Sequence, residues 1–495
     1  MSLTAPRVGV AVPLAWSTLS SLGTQALSFL TFAILARLLG ASAFGLVALA
    51  ALVVDLLQAA SNAGISEAVV QRPSLTEKDA DTAFWLNLGS GVVFCALTVA
   101  LAPTIAGLFD HQELTPLIMV LAGIFVITPL GAIHTARMAR SLTFRAIAGR
   151  NLAAALAGTA VGIPLALGGY GAWALVGQRI ATALILAASG WACLRWIPRC
   201  QFDRVAAAQM LRFGSWIGVA GTLNQINIRS AEIISGGLLG PLPVAFIRAG
   251  SRIVEVLNQV TYMPFQQIAV PVLARSADDL AVLRDTFQRL SRLSAFVMFP
   301  AFLGTLALAG PIVQLVLGRG WEAVADAVRI FGCAVVASQM NNLMVATITA
   351  CGASRRVLSW TTAQIALGLL AAVAAAPWGW QAMLMTGVAR GYLILPYGLH
   401  LLKRHAGIGA REVLASLRPA LTSGLSMAAI VLAGVFATEP HLPSILVVGI
   451  WLPIGVLSYL CAYLWQDPDL IRQVCALLPW RRTASAPVAR ASPER

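Results

Sequence analysis

The chain has 495 residues, of which 58% are hydrophobic and 11% charged, and it carries a net charge of +14. Soluble domains carry about 25% charged residues. An apolar excess of this size excludes a water-soluble globular protein and makes lipid the natural solvent. The seven cysteines (Cys95, Cys193, Cys200, Cys333, Cys351, Cys461 and Cys475) form no Cys-x-x-Cys pair. They read as small core hydrophobes, without a disulfide framework. The five histidines are scattered, so the sequence implies neither a metal nor a cofactor.

A transmembrane helix needs roughly 20 mostly apolar residues. The stretch from Pro13 to Leu39 is too long for the apolar region of a signal peptide, so it is expected to be a retained first span. Thirteen further candidates follow, at 43–66, 82–109, 114–136, 147–168, 171–194, 213–239, 243–271, 293–317, 324–350, 357–377, 380–402, 419–437 and 443–465. The expected fold class is therefore an all-α, polytopic membrane protein of about 14 transmembrane helices.

Every second loop is basic. The loop after span four holds Arg137, Arg140, Arg145 and Arg150, and the one after span six holds Arg195, Arg199, Arg204 and Arg212. Arg275, Arg284, Arg289 and Arg292 follow span eight, and Arg355 and Arg356 follow span ten. Lys403, Arg404, Arg411 and Arg418 follow span twelve, and the tail adds Arg472, Arg481, Arg482, Arg490 and Arg495. With Arg7, Arg72 and Lys78, one side holds 26 of the 34 basic residues. The opposite loops contain only Arg319. This asymmetry places both termini in the cytoplasm of a cell inner membrane. It also accounts for the net charge through anionic lipids, with no need for nucleic acid.

A shift of 200 residues aligns the chain with itself without gaps. Trp16 falls on Trp216, Gln25 on Gln225, Ile34 on Ile234, and Leu38-Leu39-Gly40 on Leu238-Leu239-Gly240. Asp55 meets Glu255, and Asp79 meets Asp279. Over 16–79 there are 10 identities in 64 positions. The offset equals six spans, so the copies run in the same direction, as in transporters built from parallel repeats around a central site. The expected organisation is a cytoplasmic N-terminus (1–12), an N-lobe of six spans (13–194), a linker (195–212) and a C-lobe of six spans (213–402). A second linker (403–418), two extra spans (419–465) and a basic cytoplasmic tail (466–495) complete the chain. The two pseudo-symmetric lobes would flank a central cavity.

Ionisable groups within spans are expensive and normally face a cavity or a partner. Gln225, Arg229 and Glu232 form one helical stripe on span seven, and Arg248, Arg252, Glu255 and Gln259 form another on span eight, which also carries Asn258. Asp55, Gln58 and Asn62 stripe span two; span one carries Gln25 and span twelve carries Arg390. Guanidinium groups grip phosphate oxygens bidentately, and carboxamides suit sugar hydroxyls. Substrate-binding candidates are therefore Arg229, Arg248, Arg252, Gln25, Gln225, Asn258 and Arg390. Asp55, Glu255 and Glu232 are candidates for ion coupling. The competing account is structural: Arg229 with Glu232, and Arg252 with Glu255, are i, i+3 neighbours that could simply satisfy each other. Arg37 and Arg179, near predicted outer ends, are expected to snorkel. Trp321, Trp378 and Trp380 are expected to anchor the interface. Asp203–Arg212, Ala277–Leu293 and Ala410–Leu417 read as amphipathic surface helices.

The run Ala33-Ile34-Leu35-Ala36-Arg37-Leu38-Leu39-Gly40-Ala41-Ser42-Ala43-Phe44-Gly45-Leu46-Val47-Ala48 resembles the first hairpin of the polysaccharide transporter family. These are the Wzx-type oligosaccharide flippases of the multidrug/oligosaccharidyl-lipid/polysaccharide exporter superfamily. Gly237-Leu238-Leu239-Gly240 through Pro264, and Pro271-Val272-Leu273-Ala274-Arg275, are similar to the family's seventh and eighth spans. Gly318-Arg319-Gly320-Trp321-Glu322-Ala323 resembles its short outer loop, and Ala350-Cys351-Gly352 fits a family turn. The resemblance covers roughly 10–405, in the exopolysaccharide, colanic-acid-exporter-like branch.

It implies two six-helix lobes and an undecaprenyl-diphosphate-linked oligosaccharide as substrate, moved by a non-enzymatic flippase for exopolysaccharide or lipopolysaccharide synthesis. Polymerase and export components of the pathway would be partners. Where the branch has an Asp near the position of Glu232, this chain has Ala231-Glu232-Ile233, which leaves the role of Glu232 open. The alternatives are a peptidoglycan lipid-precursor flippase, a cation-coupled drug or metabolite antiporter, and a membrane glycan polymerase. The last is disfavoured because the outer loops hold no acid–base pair suited to general catalysis. No Gly-x-x-x-x-Gly-Lys loop occurs, so ATP is not the direct energy source.

Overall fold

The structure is a computed structural model that describes residues 11–61, 64–72, 74–141, 143–277 and 279–467. Arg7, Asn62, Cys475 and the basic residues of the tail lie outside the described residues, as do the side chains of Trp16 and Arg355. Among the described residues every regular element is helical.

The first two expected spans share α1, and each of the others falls on one helix or a broken pair. The chain runs through α1 (Ala11–Ser61), α2 (Ile65–Gln71), α3 (Glu77–Leu108), α4 (Leu114–Leu121), α5 (Ile124–Arg140), α6 (Phe144–Leu167) and α7 (Trp173–Cys193). It continues through α8 (Arg204–Leu239), α9 (Pro241–Thr261), α10 (Met263–Arg275), α11 (Leu280–Ala307), α12 (Ala309–Val316), α13 (Val324–Cys333) and α14 (Val335–Ala350). The last helices are α15 (Ser354–Ala375), α16 (Trp380–Leu393), α17 (Leu395–Ala406), α18 (Ala410–Thr438) and α19 (Ser444–Gln466).

By length and apolarity alone, 9 helices among the described residues qualify as membrane spans, or 10 if the bent pair α13–α14 is one span. The chain is thus a multi-pass membrane protein, although this test does not reach fourteen. The shortfall has three sources. Helix α1 counts once, although Gly40 breaks it. Helices α8 and α9, which carry the polar stripes, do not qualify, and neither does the pair α16–α17.

Gly40 (φ 72°, ψ 169°) and Gly240 (φ 86°, ψ −172°) share one backbone conformation. That region is open essentially to glycine alone. The two positions are 200 residues apart, so the repeat in the sequence is also a repeat in backbone geometry. Each break ends one helix and starts the next. The equivalent aspartates both serve helix starts, at different positions: Asp79 completes a capping box with the N-cap Thr76 of α3, and Asp279 is itself the N-cap of α11.

The three amphipathic segments are not separate surface helices. Each supplies the first turns of a longer one: α8 begins at Arg204, α11 at Leu280 and α18 at Ala410. At 1.5 Å per residue, the 36 residues of α8 run about 54 Å, well beyond a bilayer core of about 30 Å. Its polar first turns therefore extend outside the apolar layer. Asp203 caps this helix, accepting hydrogen bonds from the Val205 and Ala206 N–H groups at 2.8 and 3.2 Å.

Contacts divide the chain into two units: Met1–Val256 with Val313–Phe331 and Thr362–Arg390, and Leu257–Ile312 with Gly332–Thr361 and Gly391–Arg495. In the first, the second half of α1 meets the turn joining α8 and α9. A Cβ at Gly45 would collide with the Pro241 carbonyl and touch Ala245. Positions 45 and 245 are repeat equivalents, so the copies meet across a twofold-like relation in which a residue faces its own counterpart. Small residues permit this approach, as between helices in lipid generally. In the second unit, α18 lies along α11, with Ser416 Oγ donating to Ser291 Oγ at 3.1 Å. The Tyr459 hydroxyl of α19 donates to the Phe296 carbonyl at 3.0 Å.

Two predictions follow from this backbone. Gly40→Ala and Gly240→Ala each lower the thermal midpoint in detergent, at a cost of about 1–3 kcal/mol, while Gly237→Ala, which meets nothing within 4 Å, does not. The Ala206 and Val205 N–H groups hold the Asp203 carboxyl below the usual carboxylate value. A depressed group stabilises the fold above its unfolded value and loses that contribution as pH falls through the lowered one. The stability gap between wild type and Asp203→Ala, followed by thermal unfolding on acidification, therefore shrinks towards acid.

Candidate functional site

The polar stripes of α1, α8 and α9 converge with α7 on one cavity of about 280 Å³ in the first unit. Its charged lining is Arg179, Arg229, Arg248, Arg252 and Glu255. Behind it a continuous ion-pair ladder crosses four helices. Arg179 of α7 grips Asp55 of α1 with both terminal nitrogens, at 3.0 and 3.2 Å. Arg248 of α9 donates to the second Asp55 oxygen at 3.0 Å and to Glu232 of α8 at 3.4 Å. Glu232 is bonded in turn by Arg229 at 2.7 Å.

The side chains of Asp55 and Glu232 are only 17% and 4% exposed, which makes them a buried layer under the cavity floor. Arg248 also donates to the Ala48 carbonyl at 3.0 Å. Residues 48 and 248 are repeat equivalents, so this arginine ties the two copies together. At the rim, Arg252 pairs with Glu255 at 2.7 Å and donates to Ser28 Oγ at 2.8 Å. The Glu255 side chain is 53% exposed, the most accessible of the three acids.

Four guanidiniums face three carboxylates, leaving one positive charge in excess. Of the ten residues expected at the site, Arg229, Arg248, Arg252, Asp55, Glu232 and Glu255 come together here. Gln25 lines an adjoining chamber of about 390 Å³ that shares Ser28 and Gln178 with the first. The other three do not join them. Gln225 is half-buried and belongs to the lining of neither chamber. Arg390 turns to the Gln364 carbonyl at 2.8 Å. Asn258 falls in the second unit.

Arg179 corrects the sequence reading, which placed it at an outer end. It lies six residues into α7, about 9 Å along the helix, too deep to snorkel. The available signal was Asp55, an acid in an apolar span that requires a cation within reach. Arg37 is exposed, three residues before the break at Gly40, and donates to the Val316 carbonyl at 3.0 Å and also to that of Leu315. Trp321 is no interface anchor. It is 1% exposed, with its indole N–H on the Ala36 carbonyl at 3.2 Å and its ring edge-on to Phe44. Trp380 is likewise buried, against Phe246, whereas Trp378 is 78% exposed, as an anchor would be. Beside Trp321, the Glu322 carboxylate accepts the Gly320 N–H at 3.0 Å, which holds its carboxyl below the usual value.

The fold and this buried charge network define a polytopic, all-α membrane protein with a polar internal site. The profile of a family described as "Polysaccharide biosynthesis protein" matches residues 34–326. That is more than half of the chain, which therefore belongs to this family, in line with its Wzx-type resemblance. It is similar to the lipopolysaccharide biosynthesis protein WzxC of Escherichia coli K12, with 26% identity over 326 residues, 64% of each protein. It is also 26% identical to the succinoglycan biosynthesis transport protein ExoT of Rhizobium meliloti, over 62% of each. The matches thus span less than two thirds of these relatives. Among solved structures, the lipid II flippase MurJ in an inward closed conformation shares the fold, with a TM-score of 0.73, 10% identity and coverage of 92% of this chain and 99% of that one. An inward-facing multidrug MATE transporter has a TM-score of 0.56, 17% identity and coverage of 78% and 96%.

Removing one partner of a buried pair strands the other charge, at a cost of about 3–5 kcal/mol, whereas exposed pairs contribute about 0–1 kcal/mol. Asp55→Ala, which would remove the partner of Arg179 and leave Arg248 with Glu232 as its one carboxylate, should therefore lower thermal stability much more than Glu255→Ala. Circular dichroism melts of the two variants in detergent measure the difference.

Proposed function

We propose that this protein is a flippase that carries an undecaprenyl-diphosphate-linked oligosaccharide repeat unit across the inner membrane, from the cytoplasmic to the periplasmic leaflet. The observation that carries this reading is a chamber of four arginines with one net positive charge, beside a chamber lined by amides and hydroxyls that shares Ser28 and Gln178 with it. A diphosphate needs the first, because guanidinium forks match phosphate oxygens. A glycan needs the second. Membership of a polysaccharide biosynthesis family supplies the context.

The lobes 13–194 and 213–402 are the bodies that rock about the site, exposing it alternately on each side. Both termini are cytoplasmic, on the basic side of the loop asymmetry. The exposed Glu255 is a better coupling acid than Asp55, whose two oxygens are held by arginines. The protein moves its cargo without chemistry, alongside the polymerase and export components of the pathway. A drug antiporter would be better served by an excess of acids than by an excess of arginines.

Deletion of the gene in its host, with complementation, tests this account. Surface polysaccharide should vanish and the lipid-linked unit accumulate by mass spectrometry. Wild type should restore export and Arg252→Ala should not. Unchanged polysaccharide together with new sensitivity to cationic drugs would contradict it.

A further inference from the structure

We propose that the second chamber is a subsite for uncharged sugar, set in the first copy of the repeat between α1, α6 and α7. The inference rests on the flippase reading and specifies its cargo. The chamber is lined by residues of these three helices, and none of its lining side chains is charged. Three of them are carboxamides: Gln25 of α1, Asn151 of α6 and Gln178 of α7.

The hydroxyls of the chamber are already engaged by the protein. Thr31 bonds the Leu27 carbonyl and Thr159, and Thr182 bonds the Gln178 carbonyl. None of the three side-chain amides has a hydrogen-bond partner among the described residues, so each presents two donors and an acceptor to whatever fills the space. Sugar hydroxyls, which donate and accept at once, are the matching chemistry. A uronic acid or a sugar phosphate would find no cation here.

Gln178 and Ser28 line both chambers. Arg179, the next residue along α7, belongs to the ion-pair ladder. A sugar on Gln178 therefore sits directly beside a diphosphate on the arginines. The subsite is asymmetric: Gln225, the repeat equivalent of Gln25, lines neither chamber, so the glycan is read by the first copy only.

The test is binding to the full-length protein in nanodiscs. Two probes are used: undecaprenyl diphosphate without sugar, and the same lipid carrying a neutral disaccharide. Wild type should prefer the glycosylated lipid by about tenfold or more, since each hydrogen bond is worth about two- to tenfold in affinity. Gln25→Leu and Asn151→Leu should each cut that ratio by about fivefold, while bare-lipid binding in the same samples reports that the variants are folded. Arg252→Ala should weaken both lipids and keep the ratio.

A ratio that neither amide variant moves, or equal wild-type affinity for the two lipids, overturns the subsite. Failure of wild type to bind either lipid overturns the flippase reading and the subsite with it. That pattern is distinct from one in which both lipids bind alike.

Discussion

The cost of placing seven charged side chains among membrane helices governs this site. No carboxylate or guanidinium can stand alone in a medium of low polarity, so each must find an opposite charge or a polar backbone group. The ladder from Arg179 through Asp55, Arg248 and Glu232 to Arg229 meets that demand with donors and acceptors from α1, α7, α8 and α9. Fixing these four helices also fixes the arginine chamber between them. The buried layer of the ladder holds the floor, while its remaining donors and the Arg252–Glu255 pair face the cavity.

Duplication explains the placement. Gly40 and Gly240 turn the chain identically in both copies, and Gly45 lets the first copy approach the second at Pro241 and Ala245. At that meeting point the copies differ. Position 248 is arginine and its counterpart 48 is alanine, so one guanidinium crosses to the other copy's backbone carbonyl. Near a twofold axis, two opposed arginines would repel each other. The asymmetry resolves that conflict and concentrates positive charge on the second copy, leaving the first copy to present amides.

Much of this was legible in the sequence. The apolar runs located the helices because lipid imposes a length on them, and the 200-residue offset located the repeat because a glycine with a special conformation recurs in it. The stripes on α8 and α9 pointed to the site, since helical spacing determines which residues share a face. Contacts between helices far apart in sequence were not legible. Whether Arg179 and Trp321 face lipid or protein depends on which helix stands opposite, and no spacing rule supplies that. Gln225 and Arg390 fit the polarity argument equally well, yet Gln225 lines neither chamber and Arg390 bonds the Gln364 carbonyl. The amphipathic linkers were misjudged for a related reason, because an amphipathic segment does not reveal whether it continues unbroken into the next span.

The central claim is that the arginine chamber carries a lipid diphosphate across the bilayer, and reconstituted flipping measures it most directly. Purified protein in liposomes would be given undecaprenyl diphosphate bearing a neutral disaccharide in the inner leaflet, and a membrane-impermeant lectin would report its arrival outside. Wild type should raise the lectin-accessible fraction well above that of protein-free liposomes, and Arg252→Ala should abolish most of the rise. A wild-type signal no greater than that of empty liposomes, or a full signal from Arg252→Ala, would contradict it.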